Sequence, residues 1–355
     1  MSMESVVIVR VGGEIGIKSR PVRRDYEQRL LRHIKGRLRE KGVPFSEIWR
    51  IAGRIYIRTG DAETASRLAS RVFGVSSASP GRIVSSSLDE IVEAAVSIAK
   101  GFSPGSFAVR CRRVGSHPYT SQEAAARVGE AILGMRSDLR VDLGCPSSEL
   151  SVEIRDGSAI LYTDAIRGPD GFPLGTQDPL VGVVDDTFDS LAASWCLMKR
   201  GSRLVAAVAV PEGILTSGIA RNLAALSEWS AGAPFRAVVF PCEAQTPPIL
   251  RLLLASSYCR ANGFAATVSG MPVPSLELLS WLYSKISPPV LLPLIALDRG
   301  MISYLAGLMG IGLGSAVRYQ PSIDFGEPPP SSVVEAKFQK AFEVSVREDG
   351  SILPL

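Results

Sequence analysis

The sequence predicts a multidomain chain of mixed α/β and α+β class that closes in a doubly wound parallel α/β domain. Three observations predict it. At 355 residues the chain is longer than one ordinary domain. Stretches rich in Ser, Pro and Gly at 76–81 and 168–179 divide it into three parts. After the second of these, apolar strand-like runs alternate with helical periodicity as far as Met309, the pattern of a parallel sheet covered on both faces. With 46% hydrophobic residues, the chain has the material for sizeable cores.

The first part, 1–79, opens with a β-branched run from Ser5 to Val11 that reads as a strand ending at Gly12 and Gly13. Ser19 is placed to cap a helix whose apolar stripe is Tyr26, Leu30, Leu31, Ile34 and Leu38. Arginines and lysines cover its other faces. Ile48–Ile51 and Arg54–Arg58 alternate as a hairpin, and Ala62–Val72 adds a short helix. Charge is unevenly placed: residues 1–58 hold 14 Lys or Arg against 6 Asp or Glu, whereas residues 179–355 hold 13 against 14. The basic character therefore belongs to the amino-terminal region, as either a site for an anionic partner or a solvated helix face.

In the second part, 80–168, Leu88–Lys100 and Ser121–Leu133 are helical, and Phe107–Val114 is a strand. Leu150–Ile154 and Ser158–Tyr162 form a hairpin through Asp156 and Gly157. Residues 169–179 read as a linker. The third part, 180–355, starts with the strand Leu180–Val184, a short acidic loop, and a helix from Ser190 that Gly201 stops. Strands follow at Leu204–Val210, Arg236–Phe240, Ala265–Val268 and Val290–Leu294. Helices lie between and after them at Ile219–Ser230, Pro248–Ala261, Ser275–Ser284 and Asp298–Met309, and the tail turns helical at Val333–Phe342. The order strand, loop, helix puts the loop after Val184 at the carboxyl end of a parallel sheet. There its N–H groups and the helix dipole favour an anion, so this is where a nucleotide would sit.

Several classes are excluded. The five cysteines show no CxxC and the chain has two histidines, which is neither a zinc nor a disulfide pattern and fits a reducing, cytoplasmic protein. The start MSMESVVIVRVGGEIG lacks the apolar core of a signal peptide, and the longest apolar run, Val290–Leu297, is interrupted by Pro293. No membrane partner is expected. The G-I-G-L-G at Gly310–Gly314 has no strand before it and reads as a turn.

Three motifs in order resemble one family. GEIGIKSRPVRRDYEQRL is similar to the amino-terminal ferredoxin-like segment of tRNA 4-thiouridine synthetases (ThiI), and FAVRCRRVGSHPYTSQEAAARVGEAIL to their THUMP domain. GFPLGTQ followed by VVDDTFDSLAASWCLMKRG resembles their linker and pyrophosphatase (PP) loop. The resemblance implies a ferredoxin-like domain at 1–79, a THUMP domain at 80–168, and a PP-loop domain at 180–355 after the linker. It also implies that the first two domains grip tRNA and present a uridine to the third, where ATP adenylates O4 and a persulfide sulfur displaces the adenylate. Lys18, Arg20, Arg23 and Arg24 near the helix start, with Arg110, Arg112 and Arg113, suit RNA phosphates. His117 or Tyr119 would stack on an unpaired base.

The family loop reads S-G-G-x-D-S, in which glycines admit the pyrophosphate to backbone N–H groups. Here Asp189 and Ser190 match the final D-S and Phe188 the variable position, while Asp185, Asp186 and Thr187 replace S-G-G. A carboxylate about 4 Å from a phosphate charge costs up to ~4 kcal/mol at a surface-like dielectric. A magnesium ion bridging the aspartates and a phosphate would reverse that sign. The next family signature, Gly-Glu with a polar run, is VSGMPVPSLELL here, with Met271, Pro272 and Pro274 in place of polar ligands. The region matching the family's catalytic cysteine, SAVRYQPSIDFGEPPP, contains no cysteine. Cys242 beside Glu243 is either a stand-in or a small buried hydrophobe, Cys196 and Cys259 read as core, and Cys111 points inward.

The expected protein is thus a tRNA-binding ThiI-type chain with a degenerate adenylation site, not an enzyme and without a bound cofactor or metal. Two alternatives stand beside it. One is an active tRNA uridine-thiolating enzyme using ATP and magnesium with a non-standard loop and an external sulfur carrier. The other is a structural or regulatory partner, as a homodimer or with an active paralogue, through the apolar carboxyl-terminal domain.

Overall fold

Strand pairing gathers the chain into two sheets, one for each of two units defined by contact. The computed structural model describes residues 4–51, 53–163, 165–271, 275–309 and 327–355. The first unit comprises Met1–Gly16, Arg37–Arg71 and Val75–Gly168; the second comprises Ile17–Gly36, Val72–Gly74 and Pro169–Leu355.

In chain order the first elements are β1 (Glu4–Val11), α1 (Gly13–Gly16), α2 (Arg20–Glu40), β2 (Glu47–Ile51), β3 (Arg54–Arg58), α3 (Ala62–Ala69) and β4 (Val75–Ser85). They continue with α4 (Leu88–Ala99), β5 (Gly105–Val114), α5 (Ser121–Met135), β6 (Leu139–Val141), β7 (Ser148–Arg155), β8 (Ser158–Tyr162) and β9 (Ile166–Arg167). The sheet order is β2-β3-β1-β4-β8-β7-β5-β6, with β9 beside β4. β5 runs parallel to β6 and β7; the other pairs are antiparallel. Val6, Val7, Ile8 and Val9 of β1 are all fully buried, which explains a β-branched run without alternation. The helices α3, α4 and α5 pack on this sheet, and Ile91, Phe107, Val128, Ile132 and Leu161 form a core beneath α4 and α5.

The Ser/Pro/Gly stretch at 76–81 is not a break. It lies within β4, where Pro80 faces Val7 of β1 and the Arg10 guanidinium donates to the hydroxyls of Ser77 and Ser79 at 3.2 and 3.1 Å. Gly81 is needed for pairing on the other side, since a Cβ there would stand 2.9 Å from the Leu161 carbonyl oxygen of β8. A composition typical of loops is strand here because its polar side chains and its missing side chain both serve the sheet.

The second sheet is built from β10 (Gln177–Val183), β11 (Ser202–Pro211), β12 (Phe235–Cys242), β13 (Thr267–Val268) and β14 (Val290–Leu291), all parallel, in the order β14-β13-β10-β11-β12. Interleaved are α6 (Phe188–Lys199), α7 (Ser217–Glu228), α8 (Pro248–Ala261), α9 (Leu276–Lys285) and α10 (Arg299–Met309), followed by α11 (Ser331–Phe338). Successive residues alternate between two cores: Leu204, Ala206 and Val208 pack toward α6 and α7, while Val205 and Ala207 pack toward α8. The sheet is therefore covered on both faces, as the alternation predicts. The order reverses at β10, because β11 and β12 extend to one side of it and β13 and β14 to the other.

Two antiparallel strands escaped the sequence reading: β15 (Phe342–Val346) pairs with β12, and β16 (Ile352–Pro354) with β15. The tail helix ends at Phe338, short of the expected Phe342, which instead opens β15; that strand is anchored by Glu343, which accepts from Arg236 and from the Tyr258 hydroxyl. Gln177 and Asp178, expected in the linker, already belong to β10. Gly310–Gly314 and the region 315–326 lie outside the described residues.

The second unit's core centres on Phe73, Trp195 and Trp229, whose ring centroids lie 5.0 to 5.4 Å apart. Trp195 is fully buried. Trp195→Ala is expected to lower stability by about 3–5 kcal/mol, and Trp195→Phe by less, read as a shift of the chemical-denaturation midpoint.

Candidate functional site

Two places carry chemistry, one in each unit. In the first unit the sheet face lined by β1, β3, β5, β7 and β8 holds a cleft of about 760 Å³ into which Arg10, Arg54, Arg110 and Arg112 project. Strand register explains the convergence: Arg10 faces Arg54, and Arg112 faces Glu153. Arg54 is ion-paired to Glu153, which also accepts from the Tyr162 hydroxyl at 2.9 Å, and the Arg10 guanidinium lies 4.7 Å above the Tyr162 ring. Burial holds the Arg54 guanidinium below the ordinary arginine pKa, and the charges of Arg10 and Arg112 act in the same direction. Arg54 is thus neutralised by Glu153, while Arg10 and Arg112 stand beside it without a carboxylate of their own among the described residues. Such a cleft favours an anion with several acceptor oxygens.

In the second unit the loop after β10 lies at the switch point of the sheet, where α/β proteins of this kind bind ligands. Three of its N–H groups, those of Asp185, Thr187 and Ser190, have acceptors within the loop. The Asp185 carboxylate accepts from the Thr187 N–H at 2.9 Å and from the Thr187 hydroxyl at 2.5 Å, and it is 3.4 Å from Arg251 of α8. The Asp185 N–H donates to the Ser190 hydroxyl at 3.1 Å, and the Ser190 N–H to the Thr187 hydroxyl at 3.3 Å, the N-cap bond of α6. Buried Asn222 of α7 braces the loop, its amide donating to the Asp185 and Thr187 carbonyls at 2.8 Å each. Across the switch point Gly270 abuts the start of α6 so closely that a Cβ there would be 2.5–2.6 Å from the Asp189 carbonyl and the Ser190 nitrogen. Burial raises the Asp189 pKa, and Asp185 adds to the rise.

Family models match the ThiI ferredoxin-like domain over residues 6–79 and the THUMP domain over 85–164. A protein of Methanothermobacter thermautotrophicus named as a probable tRNA sulfurtransferase is 32% identical across 98% of this chain and 96% of its own. One so named from Methanosarcina mazei is 30% identical, covering 86% and 82%. The chain belongs to the tRNA sulfurtransferase (ThiI) family. The crystal structure of a Pyrococcus horikoshii protein matches with a TM-score of 0.71 at 30% identity over 86% of this chain and 100% of that one. A 4-thiouridine synthetase crystallised with RNA and bound ATP matches in fold with a TM-score of 0.78 at 23% identity, over 97% of this chain and 100% of that one.

Against the ThiI motifs, the RNA-facing residues read from sequence fall into different settings. Lys18, Arg20, Arg23 and Arg24 belong to the second unit, and Arg110, Arg112, Arg113, His117 and Tyr119 to the first. Arg20, Arg24 and Arg112 are exposed and have no ion pair or hydrogen bond among the described residues. Lys18 is exposed, 5.1 Å from the Phe172 ring centroid, and Arg23 is paired to Glu27 at 2.8 Å. Arg110 is held by Glu149 at 3.1 Å and by the Leu143 carbonyl at 2.6 Å. Arg113 is half-buried, on the opposite side of β5 from Arg110 and Arg112 by strand alternation. The stacking role expected of Tyr119 does not hold: its ring is 9% exposed in the core under α4 and α5, and its hydroxyl donates to the Ser86 carbonyl. His117 is half-buried with Nε2 2.8 Å from the Asp156 carbonyl oxygen.

Sequence reasoning missed Arg10, Arg54, Asn222 and Arg251. Arg10 and Arg54 were legible only as strand residues, since their convergence comes from register. The loop aspartates also depart from expectation, because Asp185 is partnered rather than left facing outward. Met271 is buried in an apolar cluster, while Pro272 and Pro274 lie outside the described residues.

Cys111, Cys196, Cys242 and Cys259 lack the setting of a reactive thiol. Burial pushes the thiols of Cys111 and Cys196 up to about 11 and raises those of Cys242 and Cys259. Glu243, beside Cys242, is paired to Lys337. Because the thiolate is the nucleophile, these four groups are poorly reactive near neutral pH. Alkylation by iodoacetamide at pH 7.5 is expected to mark exposed Cys145 first, with mass mapping of the peptides as the measurement. A second outcome concerns Tyr119. Tyr119→Phe should cost about 1–2 kcal/mol, since it leaves the Ser86 carbonyl unpaired, yet leave RNA affinity unchanged in a filter-binding titration.

Proposed function

We propose that the chain is a tRNA-binding protein of the ThiI type whose PP-loop no longer adenylates the base. The observation that carries this reading is the Asp185 carboxylate, which takes the donors a pyrophosphate would need: the Thr187 N–H and hydroxyl, and the Arg251 guanidinium. The loop holds an anion of its own. ATP therefore does not fit these residues: its phosphate would have to displace a covalently tethered carboxylate and then lie beside it and exposed Asp186.

The cationic residues support the RNA half of the proposal. The first turn of α2 contains no acidic residue but does contain Arg20 and Arg23, the reverse of what the helix dipole favours. With Arg24 and Lys18 they form a cationic set whose placement serves a ligand better than it serves the helix. The cleft of Arg10, Arg54 and Arg112 is a second set with excess positive charge. On this reading the ferredoxin-like segment passes into the THUMP segment within β4, and the linker after residue 168 ends where β10 begins at Gln177.

Binding of unmodified tRNA should be measurable at low salt and fall steeply as salt rises, and its complete absence at low salt would sink the proposal. Millimolar ATP with magnesium should leave the thermal midpoint unmoved. Incubation with ATP, magnesium, a persulfide donor and tRNA should give no 4-thiouridine by nucleoside mass spectrometry, and its appearance would establish an active enzyme instead. Asp185→Gly frees the loop donors and is expected to gain a midpoint shift with inorganic pyrophosphate that the parent chain lacks.

A further inference from the structure

β6 pairs with β5 only from Gly105 to Phe107, whereas β7 pairs with it from Phe107 to Val114. Beyond Phe107, one edge of β5 therefore has no neighbouring strand among the described residues. Backbone parity decides which groups lie along that edge. On the β6 side the Gly105 N–H donates to the Asp138 carbonyl and the Phe107 carbonyl accepts from the Asp142 N–H. On the other side Ser106 bonds to Ser147, which leads into β7. Odd-numbered residues thus turn both backbone groups toward the edge, so those of Val109, Cys111 and Arg113 meet no strand.

A groove follows this edge. The cleft of about 760 Å³ touches Val109, Arg110, Cys111 and Arg112 in succession, and also Ser121, Gln122 and Ala125 in the first turns of α5. Successive side chains of a strand point to opposite faces, so a cleft that meets all four wraps the edge itself. One wall is basic: Arg10, Arg54, Arg110 and Arg112 line the cleft against Glu149 and Glu153, an excess of two positive charges. Arg112 is exposed and has no ion pair among the described residues. The other wall, on the α5 side, is formed by the half-buried and uncharged Val109, Cys111 and Ala125.

We propose that this groove takes up an extended acidic segment of a partner protein as an added β-strand. Acidic side chains at alternate positions face Arg110 and Arg112, and small apolar ones between them face Ala125. Strand addition draws affinity from main-chain hydrogen bonds and specificity from the alternate side chains. Two other occupants match the groove less well. A second copy of β5 would lay arginine against arginine, and like charges opposite one another across a strand pair are destabilising. The phosphates of an RNA backbone accept hydrogen bonds and donate none, so they match the N–H groups of Val109, Cys111 and Arg113 but not the carbonyls beside them. The groove lies in the first unit, apart from the loop after β10, and its use does not depend on whether the chain binds tRNA.

The test uses the full chain and a six-residue peptide alternating valine and glutamate, blocked at both ends and fluorescently labelled. Such a peptide spans about 20 Å as a strand. Fluorescence anisotropy should show saturable binding at low salt. N-methylation of its alternate, edge-facing amides should weaken binding more than about tenfold, because the main-chain bonds are lost. Arg112→Glu should weaken it about tenfold, with an unchanged thermal midpoint as the control for folding. Amide hydrogen exchange followed by NMR gives an independent readout. The peptide should slow exchange at Val109, Cys111 and Arg113 and leave Arg110 and Arg112 unchanged, since their N–H groups already face β7. Absence of binding, binding indifferent to N-methylation, or unprotected Val109 and Cys111 would overturn the proposal. So would a single-stranded RNA oligomer that protects the same alternate amides, which would assign the groove to RNA.

Discussion

The loop between β10 and α6 must find an anionic acceptor for the backbone N–H groups at a helix start, and in this chain Asp185 supplies it. The turn from a parallel strand into a helix leaves N–H groups without partners in the helix. Families that bind phosphate there keep glycines, so that the donors remain open until the ligand arrives. Here Asp185 takes the Thr187 N–H from within the loop, the Thr187 hydroxyl takes the Ser190 N–H, and Asn222 fastens the Asp185 and Thr187 carbonyls from α7. The architecture of a nucleotide site survives because the geometry of β10, β11 and β13 requires it, whatever binds there.

The residues that hold the fold at this loop are separate from those a phosphate would meet. Gly182 remains necessary because a Cβ would strike Ser194 and Leu204, and Gly270 because it lies against Asp189 and Ser190. Both constraints concern strand and helix packing. The missing loop glycines, by contrast, would serve only the ligand. A loop that has traded them for a self-satisfying carboxylate loses no stability, since an aspartate accepting a local N–H two residues on is a favourable turn.

Much of this was legible in the sequence, and the reason varies by element. The alternating cores of β11 and the helix from Pro248 depend on local periodicity, which a single chain displays. β15 was hidden because its residues, FEVSV, follow a helix and become a strand only through pairing with β12 and the anchoring of Glu343. β4 was misread because Ser, Pro and Gly carry loop statistics, whereas here Arg10 and β8 use those same residues. At the site, identity alone placed Asp185 in the loop, but not its partners, because Arg251 is 66 residues away. Tyr119 failed for the opposite reason: an aromatic in a basic segment looks like a stacking platform until the tertiary core claims it.

The distribution of charge follows from the same logic. A carboxylate neutralised inside its loop removes a local reason for the third domain to attract a polyphosphate, yet it leaves the cations elsewhere on the chain untouched. Arg10 and Arg112 act on Arg54 across strands whose register is fixed by buried apolar residues, and Arg203, Arg32 and Arg29 add to the burial that lowers the His33 pKa. Repulsion of this kind is relieved by a partner that supplies many weakly specific negative charges at once. A nucleic-acid backbone does that, and a single nucleotide does not. On the proposed reading, interaction with RNA depends on surfaces that the self-satisfied loop leaves intact, so the two functions combined in the family use separate sets of residues.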